Sequence, residues 1–137
     1  GTVLNAMESD LGPLNARGGK LILWHGWSDA ALPAGETVMY YEGVLAKDPN
    51  AADYARLFMV PGCYHCGGGP GVSGVDWLGE IVKWVEEGIA PDVIVATKAG
   101  DGIEPAKSRP LYPYPAWAKY DGDGDGNLAE NFVAVDK

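Results

Sequence analysis

Hydrophobic positions change period along this chain. Residues 20–25, Lys-Leu-Ile-Leu-Trp-His, make a nearly continuous apolar run closed by Gly26. Such a run between turn residues predicts a strand buried on both faces. Over 35–47 the period lengthens: Val38, Tyr41 and Leu45 recur at helical spacing, with Val44 beside them. Pro33 suits the approach to that helix, and Asp48-Pro49 stops it. A second apolar run covers 54–60 and ends at Pro61-Gly62, before a glycine-rich loop at 67–71. A second helix fits 76–87, with Leu78, Ile81, Val82 and Val85 on one face and Gly88 as its C-cap. Residues 93–97 read as a third short strand. Residues 1–18 read as a lead-in with one short helical turn near Ser9, Asp10 and Leu11.

Strands alternating with helices over 19–100 predict an α/β layer with a parallel sheet and flanking helices. From Asp101 to the end the chain is rich in Pro, Tyr, Gly and Asp, and an irregular tail is expected there. In open α/β sheets reactive residues gather in the loops after the carboxyl ends of the strands. Here those loops are 25–32 and 62–72.

Composition narrows the classes. A length of 137 residues suits one domain over 1–137, and 47% hydrophobic residues argue against disorder. Ten basic against nineteen acidic residues leave a formal charge of −9, which disfavours nucleic acid or an anionic membrane as partner. No apolar run approaches the roughly 20 residues of a membrane span, and no start resembles a signal peptide.

The chain has two histidines, His25 and His65, each following a predicted strand. His65, on a glycine-flanked loop, has room to act as a general base toward a nucleophile; an ordinary loop histidine bonded to backbone is the plainer reading. Asp29 is its natural partner, because neighbouring parallel strands open their loops on one rim. Asp29 equally suits an Asx-turn or cap ahead of the helix. Ser28, in Gly26-Trp27-Ser28-Asp29-Ala30, imitates a nucleophile elbow with Ala in its last place, but Pro33 would fall inside the helix such an elbow needs. Cys63 and Cys66 have C-x-x-C spacing, open to a redox pair, half a zinc site or a structural disulfide. Asp121, Asp123 and Asp125 imitate the start of a calcium loop, yet position 12 is Phe132; a solvated acidic turn is the alternative. No other cofactor is expected. The stretch 112–120, with Tyr112, Tyr114, Trp117 and Tyr120, suits either an aromatic ring or a strap on the surface.

Several segments together resemble the C-terminal part of the tannase and feruloyl esterase family. GGKLILWHGWSD at 18–29 is similar to its GGKLI-x-x-HG-x-x-D segment, and Tyr40-Tyr41-Glu42 to the helix that follows. PGCYHCGGGPG at 61–71 resembles its PG-x-x-HC-x-GGPG loop, RPLYPYP at 109–115 its RPLCPYP tail, and Asn131-Phe132 its closing ANF. The resemblance implies part of an α/β-hydrolase-type domain, with Asp29 as triad acid and His65 as triad base. It implies secreted or periplasmic hydrolysis of phenolic acid esters, feruloyl or galloyl. It also implies a disulfide from Cys66 to a cysteine beside the nucleophilic serine. The Cys-Ser nucleophile segment has no match here, so the chain is expected to need a partner segment or self-association and to be inactive alone. Tyr112 stands where the family tail has cysteine, so its last disulfide cannot form. Two rivals remain: a self-contained esterase using Ser28, and a non-catalytic binding module.

Overall fold

The computed structural model describes residues 6–136. In chain order the elements are α1 (Gly12–Asn15), β1 (Leu21–Gly26), α2 (Ala34–Lys47), β2 (Ala55–Val60), α3 (Trp77–Glu87), β3 (Ile94–Lys98), β4 (Lys107–Leu111), β5 (Trp117–Tyr120) and β6 (Phe132–Val135). β1 and β2 run parallel, in register from Leu21 opposite Ala55 to Gly26 opposite Val60. Helix α2 makes the crossover between them, so the first half of the chain is a β-α-β unit.

Side chains alternate across this pair and build a core on each side. On one side Leu21, Leu23, Leu57 and Met59 pack with Tyr41 and Val44 of α2. The Tyr41 hydroxyl donates to the Ala55 carbonyl at 2.8 Å, so its buried polar end has a partner. On the other side Ile22, Trp24, Phe58 and Val60 pack with Trp77 of α3 and with Ile94, Ala96 and Leu111. Trp77 stacks on Trp24 with ring centroids 5.3 Å apart. Asp76 caps α3 by accepting from the Gly79 N–H, and Gly88 ends it in the left-handed region at φ 72°.

The structure departs from the sequence pattern in four places. The helical turn expected near Ser9, Asp10 and Leu11 begins just after them, at Gly12–Asn15 with Leu11 as its N-cap, Pro13 in its first turn and Asp10 accepting from the Gly12 N–H just ahead. β1 is packed on both faces as expected but its side chains are only partly buried, because β2 is its sole strand partner among the described residues and its other edge is open. On α3 the inward face is Trp77, Ile81 and Trp84, while Leu78, Val82 and Val85 are exposed. The large indoles dock on the sheet, and spacing i, i+4, i+7 carries that face. Finally, β3 is not a third parallel strand: it pairs antiparallel with β4, Ile94 opposite Leu111.

The tail is correspondingly not irregular. It contains β4 and an antiparallel ribbon of β5 and β6, Tyr120 opposite Phe132. Pro110 sits within β4, which has one strand partner among the described residues and so tolerates a residue without an N–H. The tail is tied back by the Tyr114 N–H to the Leu57 carbonyl at 2.8 Å, and the Arg109 guanidinium lies over the Phe132 ring at 4.4 Å.

Candidate active site

The register of β1 and β2 ends with Gly26 opposite Val60, so the loops that follow leave the sheet together. Backbone bonds join them: the Trp27 N–H donates to the Val60 carbonyl and the Ser28 N–H to the Cys63 carbonyl, both at 3.0 Å. Gly26 permits this approach. A Cβ there would overlap the Cys63 carbonyl and stand 2.7 Å from the Tyr64 carbonyl oxygen.

Asp29 and His65 meet at the junction. His65 Nδ1 lies 2.8 Å from Asp29 Oδ2. His25 Nε2 reaches the same oxygen at 3.0 Å. Asp29 Oδ1 accepts the Ala31 and Leu32 N–H groups at 2.7 and 3.0 Å. Thus one oxygen makes the Asx-type turn ahead of α2 and the other holds two imidazoles. The Asp29 side chain is 3% exposed and that of His65 51%. Burial opposes the charge of Asp29. The Leu32 N–H, His65, the Ala31 N–H and His25 outweigh it and hold the carboxyl well below the usual carboxylate range. The Nε2 atom of His65 makes no hydrogen bond among the described residues. An imidazole held at Nδ1 by a carboxylate, with Nε2 free of other bonds, can take a proton from a hydroxyl and return it to a leaving group.

The His65 loop is shaped by its glycines and by Cys66, whose φ of 59° is left-handed for a residue with a side chain. The Gly71 N–H closes the loop onto the Gly62 carbonyl at 2.9 Å. The Lys98 ammonium donates to the Gly69 carbonyl at 3.2 Å, pinning the far side.

Other sequence candidates are placed differently. Ser28 is exposed, and its hydroxyl bonds to neither histidine among the described residues. Its backbone is not in the positive-φ conformation of an elbow, and residues 27–33 separate β1 from α2. Cys63 and Cys66 are both free, so the C-x-x-C pair is not closed as a disulfide. Cys63 is buried, its thiol donates to the Tyr64 carbonyl at 3.3 Å, and burial pushes the thiol up, opposite to what a redox thiolate needs. Among the described residues no group of three or more His, Cys, Asp or Glu is arranged to hold a metal. The carboxylates of Asp121, Asp123 and Asp125 instead accept backbone N–H groups of their own turn. The aromatic tail forms one wall of a cleft of about 440 Å³, where Tyr112, Tyr114 and Trp117 face Met59, Trp27 and Pro61.

Two residues of the site were not singled out by sequence reasoning: His25 as a partner of Asp29, and Thr37. Strand alternation carried the signal. Position 25 shares the face of Leu21 and Leu23, toward α2, where the Thr37 hydroxyl lies 2.7 Å from His25 Nδ1.

An α/β layer whose parallel strands present a carboxylate–imidazole pair at one rim defines a class of site found in hydrolytic enzymes. A model of the family described as tannase and feruloyl esterase matches residues 1–135, and the chain belongs to that family. It is 50% identical over 132 residues to a mono(2-hydroxyethyl) terephthalate hydrolase of Piscinibacter sakaiensis, covering 95% of this chain and 22% of that protein. It is 36% identical over 136 residues to a probable feruloyl esterase of Arthroderma benhamiae, covering 95% of this chain and 25% of that protein. The fold superposes on feruloyl esterase B of Aspergillus oryzae with a TM-score of 0.87 at 26% identity, covering 94% of this chain and 29% of that one. The chain therefore spans about a quarter of the length of these relatives.

Proposed function

We infer that this chain supplies the acid and base of a carboxylic ester hydrolase. Its substrate is an ester of an aromatic carboxylic acid, of the feruloyl or galloyl kind. The observation that carries the reading is the 2.8 Å bond between His65 Nδ1 and Asp29 Oδ2, on a half-exposed ring whose Nε2 makes no hydrogen bond among the described residues. The names of the relatives supply the substrate class, since feruloyl and terephthalate esters share an aromatic acyl half.

A serine hydroxyl outside this chain attacks the ester carbonyl while His65 Nε2 takes its proton. The ionised Asp29 stabilises the resulting imidazolium and fixes the ring. His65 then protonates the departing alcohol, leaving an acyl-serine. Water, deprotonated by the same nitrogen, releases the acid. β1 and β2 are, on this reading, two strands of a larger α/β-hydrolase-type sheet. The nucleophile-bearing segment adds at the free edge of β1, beside the exposed Leu78 of α3, which lines a surface pocket with Leu21, Ile22 and Trp24. The acidic balance of the chain suits a secreted or periplasmic location.

The test uses a chromogenic aromatic ester. In the full-length protein, His65→Ala lowers kcat/KM by roughly 10³-fold or more, and Ser28→Ala leaves it unchanged. The 137-residue chain alone gives no acyl-enzyme burst. A burst from the isolated chain that vanishes in Ser28→Ala overturns the reading in favour of a self-contained esterase.

A further inference from the structure

The second histidine has no part in the proton transfer just described, yet it is built into the site more deeply than the first. His25 is 13% exposed and Asp29 3%, against 51% for His65. Both imidazoles bond to one oxygen, Asp29 Oδ2, from different elements: His25 from the end of β1 and His65 from the loop after β2. With Oδ1 occupied by two backbone N–H groups, the carboxylate has four donors around it, which matches its four lone-pair positions.

The donor chemistry fixes how His25 is protonated. An ionised Asp29 only accepts, so His25 Nε2 must carry a hydrogen toward it. On the other side Nδ1 faces the Thr37 hydroxyl at 2.7 Å, and that hydroxyl has no other hydrogen-bond partner among the described residues. In a neutral ring whose hydrogen sits on Nε2, Nδ1 can only accept, and the Thr37 hydroxyl is the donor placed to meet it. We propose that His25, clamped by Thr37 of α2, is a positioning residue: a neutral Nε2–H imidazole that orients Asp29 toward His65.

The neutral form matters because a cationic His25 would form an ion pair with Asp29 and weaken its hold on a charged His65. A neutral donor fixes the carboxylate plane and leaves the full negative charge facing His65. The catalytic consequence rests on the reading of His65 as base; the tautomer does not.

The test has two arms. The chain is labelled with 15N-histidine and long-range 1H–15N spectra are recorded at neutral pH. His25 shows a single Nε2–H tautomer with Nδ1 as acceptor. Thr37→Val removes the donor at Nδ1: Nε2 keeps its hydrogen toward Asp29, while the His25 Nδ1 resonance and the His65 ring N–H proton both shift, and Thr37→Ser restores both. A wild-type His25 carrying its proton on Nδ1, or ring spectra unchanged in Thr37→Val, overturns the proposal. In the full-length protein Thr37→Val lowers kcat about 5-fold with KM unchanged, the worth of one hydrogen bond between neutral partners, and Thr37→Ser recovers it. An unchanged kcat overturns the positioning role. Full ester hydrolysis by His65→Ala removes the catalytic reading, while the tautomer result then stands or falls by its own spectra.

Discussion

Gly26→Ala tests whether the approach of the two loops builds the site. The added methyl group meets backbone on two sides: it overlaps the Cys63 carbonyl and lies 2.7 Å from the Tyr64 carbonyl oxygen. Ordinary contact begins near 3.4 Å, so the segment carrying Tyr64 must retreat by about 0.7 Å, and Cys63 by more. His65 is the next residue along. A shift of that size along the His65–Asp29 direction stretches their bond from 2.8 Å to the margin of hydrogen bonding, about 3.5 Å. Overpacking of this kind costs about 1–3 kcal/mol of stability. Misplacing a catalytic group by about 1 Å costs on the order of 10²-fold in rate. Urea unfolding measures the first effect, and the downfield His65 ring proton in an NMR spectrum reports the second directly. A Gly26→Ala chain that keeps that proton and unfolds within about 0.5 kcal/mol of wild type refutes the reasoning.

Three further outcomes are expected. Trp84→Ala, at a residue 2% exposed, lowers unfolding free energy by about 3 kcal/mol or more, whereas Leu78→Ala, 72% exposed, changes it by less than about 0.5 kcal/mol; urea midpoints decide, and equal effects would reject the assigned inner face of α3. Asp29 is held below its ordinary range in the fold, so its contribution to stability is fully present above the unfolded carboxylate pKa of about 4 and is lost as pH falls toward the folded value. The gap in urea midpoint between wild type and Asp29→Asn should hold from pH 5 to 8 and narrow below about pH 4. Cys66 is exposed and Cys63 buried, so native alkylation followed by peptide mass mapping should label Cys66 rapidly and Cys63 only after denaturation.

Strand and helix positions were legible where apolar period and punctuation agreed. The runs at 20–25 and 54–60 became β1 and β2 with ends shifted by one residue, because Gly26 and Pro61-Gly62 close them. The face of α3 was misread because counting aliphatic residues favours Leu78, Val82 and Val85, whereas Trp77 and Trp84 bring far more area to the sheet. The tail strands were hidden for a different reason. β4 contains Lys107, Arg109 and Pro110, with no apolar alternation, and becomes a strand through pairing with β3. Pairing between distant segments overrides local preference, which is why strand propensity alone is a weak guide.

The site was legible to the extent that it follows from strand register. Two parallel neighbours ending level bring the residues just beyond them together, and that places Asp29 beside His65. What the linear pattern did not reveal is that the two expected uses of Asp29 are compatible. A carboxylate has two oxygens, and here the loop turn takes one while both imidazoles take the other. This saturation has a chemical consequence. With every lone-pair direction of Asp29 already met by a donor, the carboxylate has no vacant acceptor site for a substrate proton. Proton exchange with a reacting hydroxyl is thereby confined to Nε2 of His65. Ser28 shares the loop of Asp29 and bonds through its backbone to Cys63, and its hydroxyl makes no bond to that nitrogen. On the proposed mechanism the nucleophile must therefore arrive from a third loop, facing the solvent side of His65.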